Sequence, residues 1–386
     1  MPLAYRYITT ARERDEAIDA LSTVPMMGVD IESDSLYHYY EKVSLIQVTG
    51  GEKHYVFDPL LLDSVLELAP LFANLSILKI FHGADYDITS LKRDFDFKIG
   101  PVFDTAFAAR AIGLARWSLK EVVSHYIGVT LSKVHQKSNW SLRPLSQGQL
   151  DYAAEDTAYL PTLYAFLSDE VAKKGRKDQI QEECVILENL AWSRKAFETK
   201  DYLKIKGARA LSHPEQKILR ELIETRDKLA RERDLPPFKV APNHDLIKLA
   251  VAPLQSEEAF VKQFRKGAIL RDVPYWLEAI QKGMNSDTPL PGKEKKKNHP
   301  MTYTQQKILA RLRAWRDRQA QSETVEAAMV INTSMLHEIA KKRPDTLEAL
   351  ASIPLLRPWQ VSHYGESLMK EVKGVMTQVS HDTSVS

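Results

Sequence analysis

Apolar and polar positions alternate with a period near two over three early stretches of the chain. These are residues 26–32 (Met-Met-Gly-Val-Asp-Ile-Glu), 43–49 (Val-Ser-Leu-Ile-Gln-Val-Thr) and 54–58 (His-Tyr-Val-Phe-Asp), and the pattern predicts three strands. Gly50-Gly51 between the last two is a hairpin turn signal. Charged residues with spaced apolar positions over 11–21 predict an opening helix. After the hairpin, the spacing predicts a helix over about 60–73, a strand at 77–81, a helix at 85–95 and a short strand at 102–104. Helices near 105–113 and 118–127 follow, with Asp104-Thr105 as a cap, and then one long helix from an N-cap at Ser146 to about residue 170. Hairpin strands followed by alternating strands and helices predict an α/β domain, a mixed sheet flanked by helices.

The pattern changes after about residue 170. A charged helical connector covers 173–205, and the rest is built from a repeat. Gln216-Lys217-Ile218-Leu219 recurs as Gln306-Lys307-Ile308-Leu309, and Arg226-Asp227 recurs as Arg316-Asp317. Ala250, closing an apolar helix start (Leu246, Ile247, Leu249), is matched by Ala340 after Leu336 and Ile339. The offset is constant, which predicts two copies of one small all-α module, at 206–286 and 301–376. Between them, residues 287–300 hold Pro-Gly and Lys293-Glu294-Lys295-Lys296-Lys297, linker chemistry. Residues 377–386 read as a polar, disordered tail.

Composition narrows the class. A chain of 386 residues, 44% hydrophobic and 27% charged, has room for two or three packed cores. The single cysteine, Cys184, excludes an intrachain disulfide framework or a thiolate zinc site and fits a reducing, cytoplasmic setting. Neither a secretory signal nor a membrane-spanning stretch is visible. Net charge is only +2, but residues 1–170 carry 15 Lys/Arg against 23 Asp/Glu, so the surplus of base lies in the second half. That division predicts an acidic catalytic unit joined to a basic, polyanion-facing one.

The acidic half contains an unusual pair. In a strand, Asp30 and Glu32 project side by side while Val29 and Ile31 face the other way. Two adjacent anions on a largely buried strand repel each other and lose hydration, so they need cations or protons. A strand end with two solvated acids is the competing reading. Further carboxylates could join them. Asp85 and Asp87 lie where the 77–81 strand gives way to a helix, and one of them can be explained as a helix-dipole acid. Tyr152 and Asp156 are spaced i, i+4 on one helical face, with small Ala153 and Ala154 between them to permit close approach. Four carboxylates can hold two divalent ions roughly 3.5–4 Å apart, activating a water on one side of a phosphodiester and stabilising the departing oxygen on the other. Hard oxygen ligands suit Mg2+ or Mn2+ rather than zinc, and a nearby phenol can orient or help deprotonate the water.

These pieces resemble the tyrosine-containing subclass of the DEDD exonuclease superfamily, and within it the ribonuclease D family. The resemblance rests on Val29-Asp30-Ile31-Glu32, on His82 followed five residues later by Asp87, and on Tyr152-Ala-Ala-Glu-Asp156. It also rests on Ser138-Asn139-Trp140-Ser141-Leu142-Arg143-Pro144-Leu145-Ser146, where Asn139 departs from the family's usual Asp. The step from His82 selects Asp87 over Asp85. Residues 1–172 would be the exonuclease domain, and the repeats resemble HRDC modules. The resemblance implies a ribonuclease H-like fold followed by two HRDC-like bundles. It also implies a 3′-to-5′ exoribonuclease that releases 5′-mononucleotides and trims the 3′ ends of tRNA precursors and other small structured RNAs. Asp30, Glu32, Asp87 and Asp156 would hold two divalent cations, Mg2+ or Mn2+, and Tyr152 would position the attacking water. The partner would be RNA with a free 3′ end; neither a membrane nor an obligatory protein partner is called for.

Three other residues are candidates for substrate contact, each with a plainer alternative. His82 could contact substrate or be a satisfied structural donor, Arg143 could bind phosphate or form an ion pair, and Trp140 could stack on a base or pack in the core. Two other functions stand beside the exoribonuclease: a 3′-5′ exonuclease acting on DNA, because the carboxylates do not read a 2′-hydroxyl, and a catalytically silent RNA-binding platform.

Overall fold

The computed structural model describes residues 3–193, 198–287, 290 and 301–384. By its internal packing the chain divides into two units, one of residues 1–32, 43–192 and 298–386, the other of residues 33–42 and 193–297.

The first unit is built on a six-stranded mixed sheet. In chain order the elements are β1 (Arg6–Ile8), α1 (Ala11–Leu21), β2 (Met26–Ser33), β3 (Val43–Gly50), β4 (Lys53–Phe57), α2 (Ala69–Ala73), β5 (Leu78–Phe81), α3 (Asp85–Phe95), β6 (Val102–Asp104), α4 (Thr105–Ala111) and α5 (Leu119–Ile127), then α6 (Gln147–Ala158), α7 (Leu160–Lys173) and α8 (Lys177–Glu188). The strand order is β1-β4-β3-β2-β5-β6, which puts β2 near the middle. β3 and β4 are antiparallel, whereas β1 runs parallel to β4 and β5 runs parallel to β2 and β6. The mixed sheet with flanking helices is the one the periodicity predicts.

Two local expectations need correction, and one strand had gone unread. The helix expected over 60–73 is confined to a 3-10 turn at Leu66–Leu68 followed by α2. The long helix after Ser146 starts as predicted, with Ser146 and Gln149 capping each other reciprocally, but it breaks at Tyr159. Pro161 is the cause: it has no N–H to continue the ladder and suits the first turn of a new helix, α7. β1 was too short to give a period-two signal.

Two helical modules complete the chain. The first, in the second unit, contains α9 (His213–Glu232), α10 (Pro237–Val240), α11 (Asn243–Val251), α12 (Glu257–Phe264) and α13 (Val273–Met284) around Trp276, Leu222, Leu246 and Phe260. The second contains α14 (Tyr303–Glu323), α15 (Ala327–Val330), α16 (Thr333–Lys342), α17 (Leu347–Ala351) and α18 (Pro358–Ser384) around Leu312, Leu336, Leu350 and Leu368. The repeated arginine has the same structural use in both: Arg226 Nη1 donates to Asn243 Oδ1 (2.7 Å), and Arg316 Nη1 donates to Thr333 Oγ1 (3.1 Å). Each pins the start of its module's third helix to the first. The polar stretch after residue 376 is helical as far as Ser384, not disordered. The linker predicted at 287–300 lies outside the described residues except for Asp287 and Leu290.

Within the first unit the second module packs directly on the nuclease half. Met329 joins the apolar cluster of Ile180, Cys184, Leu163 and Leu167. Around it, Gln179 Nε2 donates to Met329 O (3.0 Å), the Trp359 N–H donates to Glu182 (2.8 Å), and buried Arg176 pairs with Glu323. No helix among the described residues is long and apolar enough to cross a membrane.

Candidate active site

β2 alternates as its sequence requires: Val29 and Ile31 are buried in the core, and Asp30 and Glu32 stand half-buried on the opposite face. Asp87 enters from the first turn of α3 and is 7% exposed, whereas Asp85, two residues earlier at the start of the same helix, is exposed to solvent. Asp156 and Tyr152 come from one face of α6. Close approach of that helix depends on small residues. A Cβ on Gly28 would lie 2.9 Å from both Leu160 Cβ and Thr157 O, and Ala153 and Ala154 are buried in the cluster with Leu45 and Val56. A hydrogen bond between the hydroxyls of Thr49 and Thr157 (2.8 Å) ties β3 to the end of α6.

The electrostatics show that these groups share one site. Burial is the main cause raising every carboxyl. It pushes Asp30 up to about 7. Glu32 is raised by burial and then by Asp30, Asp156 and Asp87; Asp87 by burial and then by Asp30, Asp104 and Asp85. Asp156 is raised by burial and by Asp30, partly offset by a hydrogen bond from the Tyr152 phenol. No basic side chain figures among these influences. The Tyr152 phenol is raised in turn by burial and by Asp156, Glu32 and Asp30, so it stays neutral and donates its proton. Among the described residues no three His, Cys, Asp or Glu side chains stand at ligating separation for a single ion. The donor set is nonetheless all-oxygen, desolvated and without a counter-charge, which fits divalent cations of the magnesium or manganese type.

Asp104 is a structural anchor for this site. Its carboxylate accepts from the N–H groups of Gly83 and Ala84 (3.0 and 2.9 Å) and of Ala106 and Phe107 (2.8 and 3.1 Å). It therefore caps α4, as its sequence position predicts, and also holds the turn that delivers Asp87. His82 is fixed by Thr105 Oγ1 (2.9 Å) and by the Trp117 backbone, and burial lowers its pKa, so the ring is neutral.

A cleft of about 250 Å3 opens on the site, lined by Asp30, His82, Tyr152 and Asp156 and also by Lys120, Lys133 and Gln136. His82 is thus placed where a substrate would lie. Arg143 and Trp140 are not: for both, the plainer alternative, an ion pair for Arg143 and core packing for Trp140, is the one the structure shows. Arg143 commits all five donors: Nε and Nη2 to Asp58 (2.6 and 2.7 Å), Nη1 to the carbonyls of Trp140 and Leu142, and Nη2 again to Ser44 O. None is left for phosphate. Trp140 is 1% exposed and packs against Leu45 and Ala153, so no base can stack on it. Lys133 and Gln136 carried no sequence signal, because the segment between α5 and α6 has no periodicity to place them, and Lys120 in the first turn of α5 reads as an ordinary solvated helix residue.

The comparisons with known proteins agree with this geometry. Residues 5–172 match the 3′-5′ exonuclease family, and residues 215–280 and 305–372 each match the HRDC domain. The chain thus carries a 3′-5′ exonuclease domain, a phosphodiester hydrolase module, followed by two HRDC domains. Its similarity runs both to ribonuclease D and to exosome complex component 10 proteins. It is 32% identical over 253 residues to ribonuclease D of Haemophilus influenzae, covering 64% of this chain and 63% of that one. It is also 32% identical over 247 residues to the exosome complex component 10 homolog of Caenorhabditis elegans, covering 63% of this chain. The chain spans only 28% of the length of that nematode relative. The crystal structure of Escherichia coli RNase D superposes with a TM-score of 0.67 over 96% of this chain and 99% of that one, at 23% identity, which shows the shared fold.

Proposed function

We propose that this chain is a 3′-to-5′ exoribonuclease that removes 5′-mononucleotides from RNA with a free 3′ end, acting without an obligatory protein partner. The observation that carries the reading is the convergence of four desolvated carboxylates and one neutral phenol at the head of a cleft. In this reading Asp30, Glu32, Asp87 and Asp156 hold two divalent cations, Mg2+ or Mn2+. When bound, such ions supply an activated water and charge stabilisation for the leaving oxygen. The rest is done by the chain itself. Tyr152, kept protonated by burial and by the neighbouring carboxylates, would orient the attacking water by hydrogen bonding. His82 lines the path of the terminal nucleotide. Lys120 and Lys133 bring positive charge to the cleft, where substrate phosphates would otherwise meet only carboxylates.

RNA as the substrate is favoured by the similarity to ribonuclease D; the E. coli relative is described as an exoribonuclease involved in structured RNA processing. Trimming of the 3′ ends of tRNA precursors and other small structured RNAs in a reducing cytoplasm is the corresponding physiological role. The test is product analysis on matched RNA and DNA oligomers, labelled so that released terminal nucleotides are seen, with Mn2+, beside Asp30→Ala. Stepwise release of mononucleotides from RNA, abolished in the variant while RNA binding survives, is expected. Faster digestion of DNA would transfer the function to DNA, and no digestion of either would leave an RNA-binding platform.

A further inference from the structure

The segment before α6 contributes a side chain that neither the motifs nor the cleft lining brings forward. His135 presents its ring to Tyr152, with centroids 6.2 Å apart and planes at 66°, an edge-on arrangement. The Tyr152 ring also meets Trp140, centroids 6.0 Å apart and planes at 32°. The phenol ring is therefore touched by two other rings. Trp140 is immobilised by burial, so it is a fixed wall. His135 is only half-buried, but it is held in two ways. Its Nδ1 hydrogen-bonds Ser138 Oγ (3.1 Å), and its Nε2 lies so close to Gly148 that a Cβ there would come within 2.9 Å. Gly148 and Tyr152 are four residues apart on α6, so one imidazole covers both positions of the same helical face. A glycine in the first turn of a helix is otherwise an entropic cost. Here the missing Cβ is the space that His135 Nε2 uses.

We infer that His135 is a positioning residue for Tyr152: together with Trp140 it clamps the ring so that the phenol is aimed at Asp156 and the water beside it. The inference rests on the role proposed above for Tyr152. A tyrosine side chain swings on two torsions, and contacts from two neighbouring rings restrict that freedom. Misplacement of a catalytic group by an ångström can cost about 100-fold in rate. Loosening one wall while the other stays is expected to cost about tenfold in kcat, from the same relation applied to a partial displacement.

The experiment is steady-state hydrolysis of an RNA oligomer with Mn2+ by the full chain, for His135→Ala, His135→Phe, Gly148→Ala, Tyr152→Phe and the double variant His135→Ala/Tyr152→Phe. His135→Ala should lower kcat about tenfold with KM unchanged, and His135→Phe, which keeps a ring edge against Tyr152, should recover most of it. Gly148→Ala should reproduce the loss by displacing the imidazole, although alanine favours the helix. In the Tyr152→Phe background His135→Ala should cost nothing further. A kcat for His135→Ala within twofold of the parent, with Tyr152→Phe slow, overturns the clamp and leaves the role of Tyr152 standing. The same loss in both backgrounds shows that His135 does not act through the phenol and also overturns it. A normal rate for Tyr152→Phe removes the role of Tyr152 and the clamp with it.

Discussion

Replacing Glu323 with alanine tests whether the second HRDC module is a structural part of the nuclease unit. Arg176, just before α8, has a side chain only 6% exposed, and its guanidinium pairs with Glu323 at the end of α14, itself 17% exposed. The Glu323 carboxylate also accepts from the Tyr364 phenol, at 2.9 and 2.8 Å to its two oxygens. Removing one partner of a buried pair leaves an uncompensated charge, at a cost of about 3–5 kcal/mol. Arg176 keeps hydrogen bonds from Nη1 to Gln179 Oε1 (2.9 Å) and to the Tyr364 hydroxyl (3.4 Å), and Glu323 is near enough to solvent for water to enter, so the low end, about 3 kcal/mol, applies. With a urea dependence near 3 kcal/mol per molar for a unit of this size, the midpoint should fall by about 1 M. The assay is urea unfolding of the full chain followed by tryptophan fluorescence, with Asp169→Ala as the control. Asp169 pairs with Lys173 on the open surface, both more than half exposed, and its loss should cost no more than about 0.5 kcal/mol. Arg176→Met combined with Glu323→Gln should recover most of the stability, because no buried charge remains unmatched. An effect of Glu323→Ala no larger than that of Asp169→Ala would refute the reasoning.

Three further outcomes follow from the site and its supports. Burial raises Asp30 to about 7, so between about pH 4 and 7 the metal-free native state holds a proton that the unfolded chain releases; stability should fall as pH rises through that window, and the raised Glu32, Asp87 and Asp156 act in the same direction. Mn2+ should raise the thermal midpoint most at pH 7 and above, and equal midpoints with and without metal in calorimetry at pH 8 would count against the carboxylate site. Gly28→Ala should destabilise the unit by about 1–3 kcal/mol through overpacking and sharply lower kcat by lifting α6 from β2, whereas an unchanged rate and midpoint would show that the approach is slack. Cys184 is buried and its thiol is pushed up to about 12, so it should resist an aromatic disulfide reagent at pH 8 until the chain is unfolded; rapid native labelling would contradict its place in the core with Met329.

What could be read from the order of residues is what local physics encodes. Alternation over 26–32 placed Asp30 and Glu32 on one strand face, and an i, i+4 step placed Tyr152 and Asp156 on one helix face, because side-chain direction follows backbone period. Ser146 announced the start of α6 through its reciprocal cap with Gln149. The constant offset predicted two modules, and the first four helices of each begin at matching positions: 213 and 303, 237 and 327, 243 and 333, 257 and 347. Tertiary structure decided the rest, because it depends on contacts between residues far apart in the chain. Asp87 and Asp85 differ by two positions in one turn of helix, and only the packing of α3 on the sheet turns the first inward. Arg143 and Trp140 have the chemistry of substrate contacts, yet Asp58, 85 residues away, takes the guanidinium, and the face of α6 covers the indole. The two HRDC modules share one sequence pattern. What binds the second into the nuclease unit is a buried pair, Arg176 with Glu323, whose partners lie 147 residues apart and have no local signature.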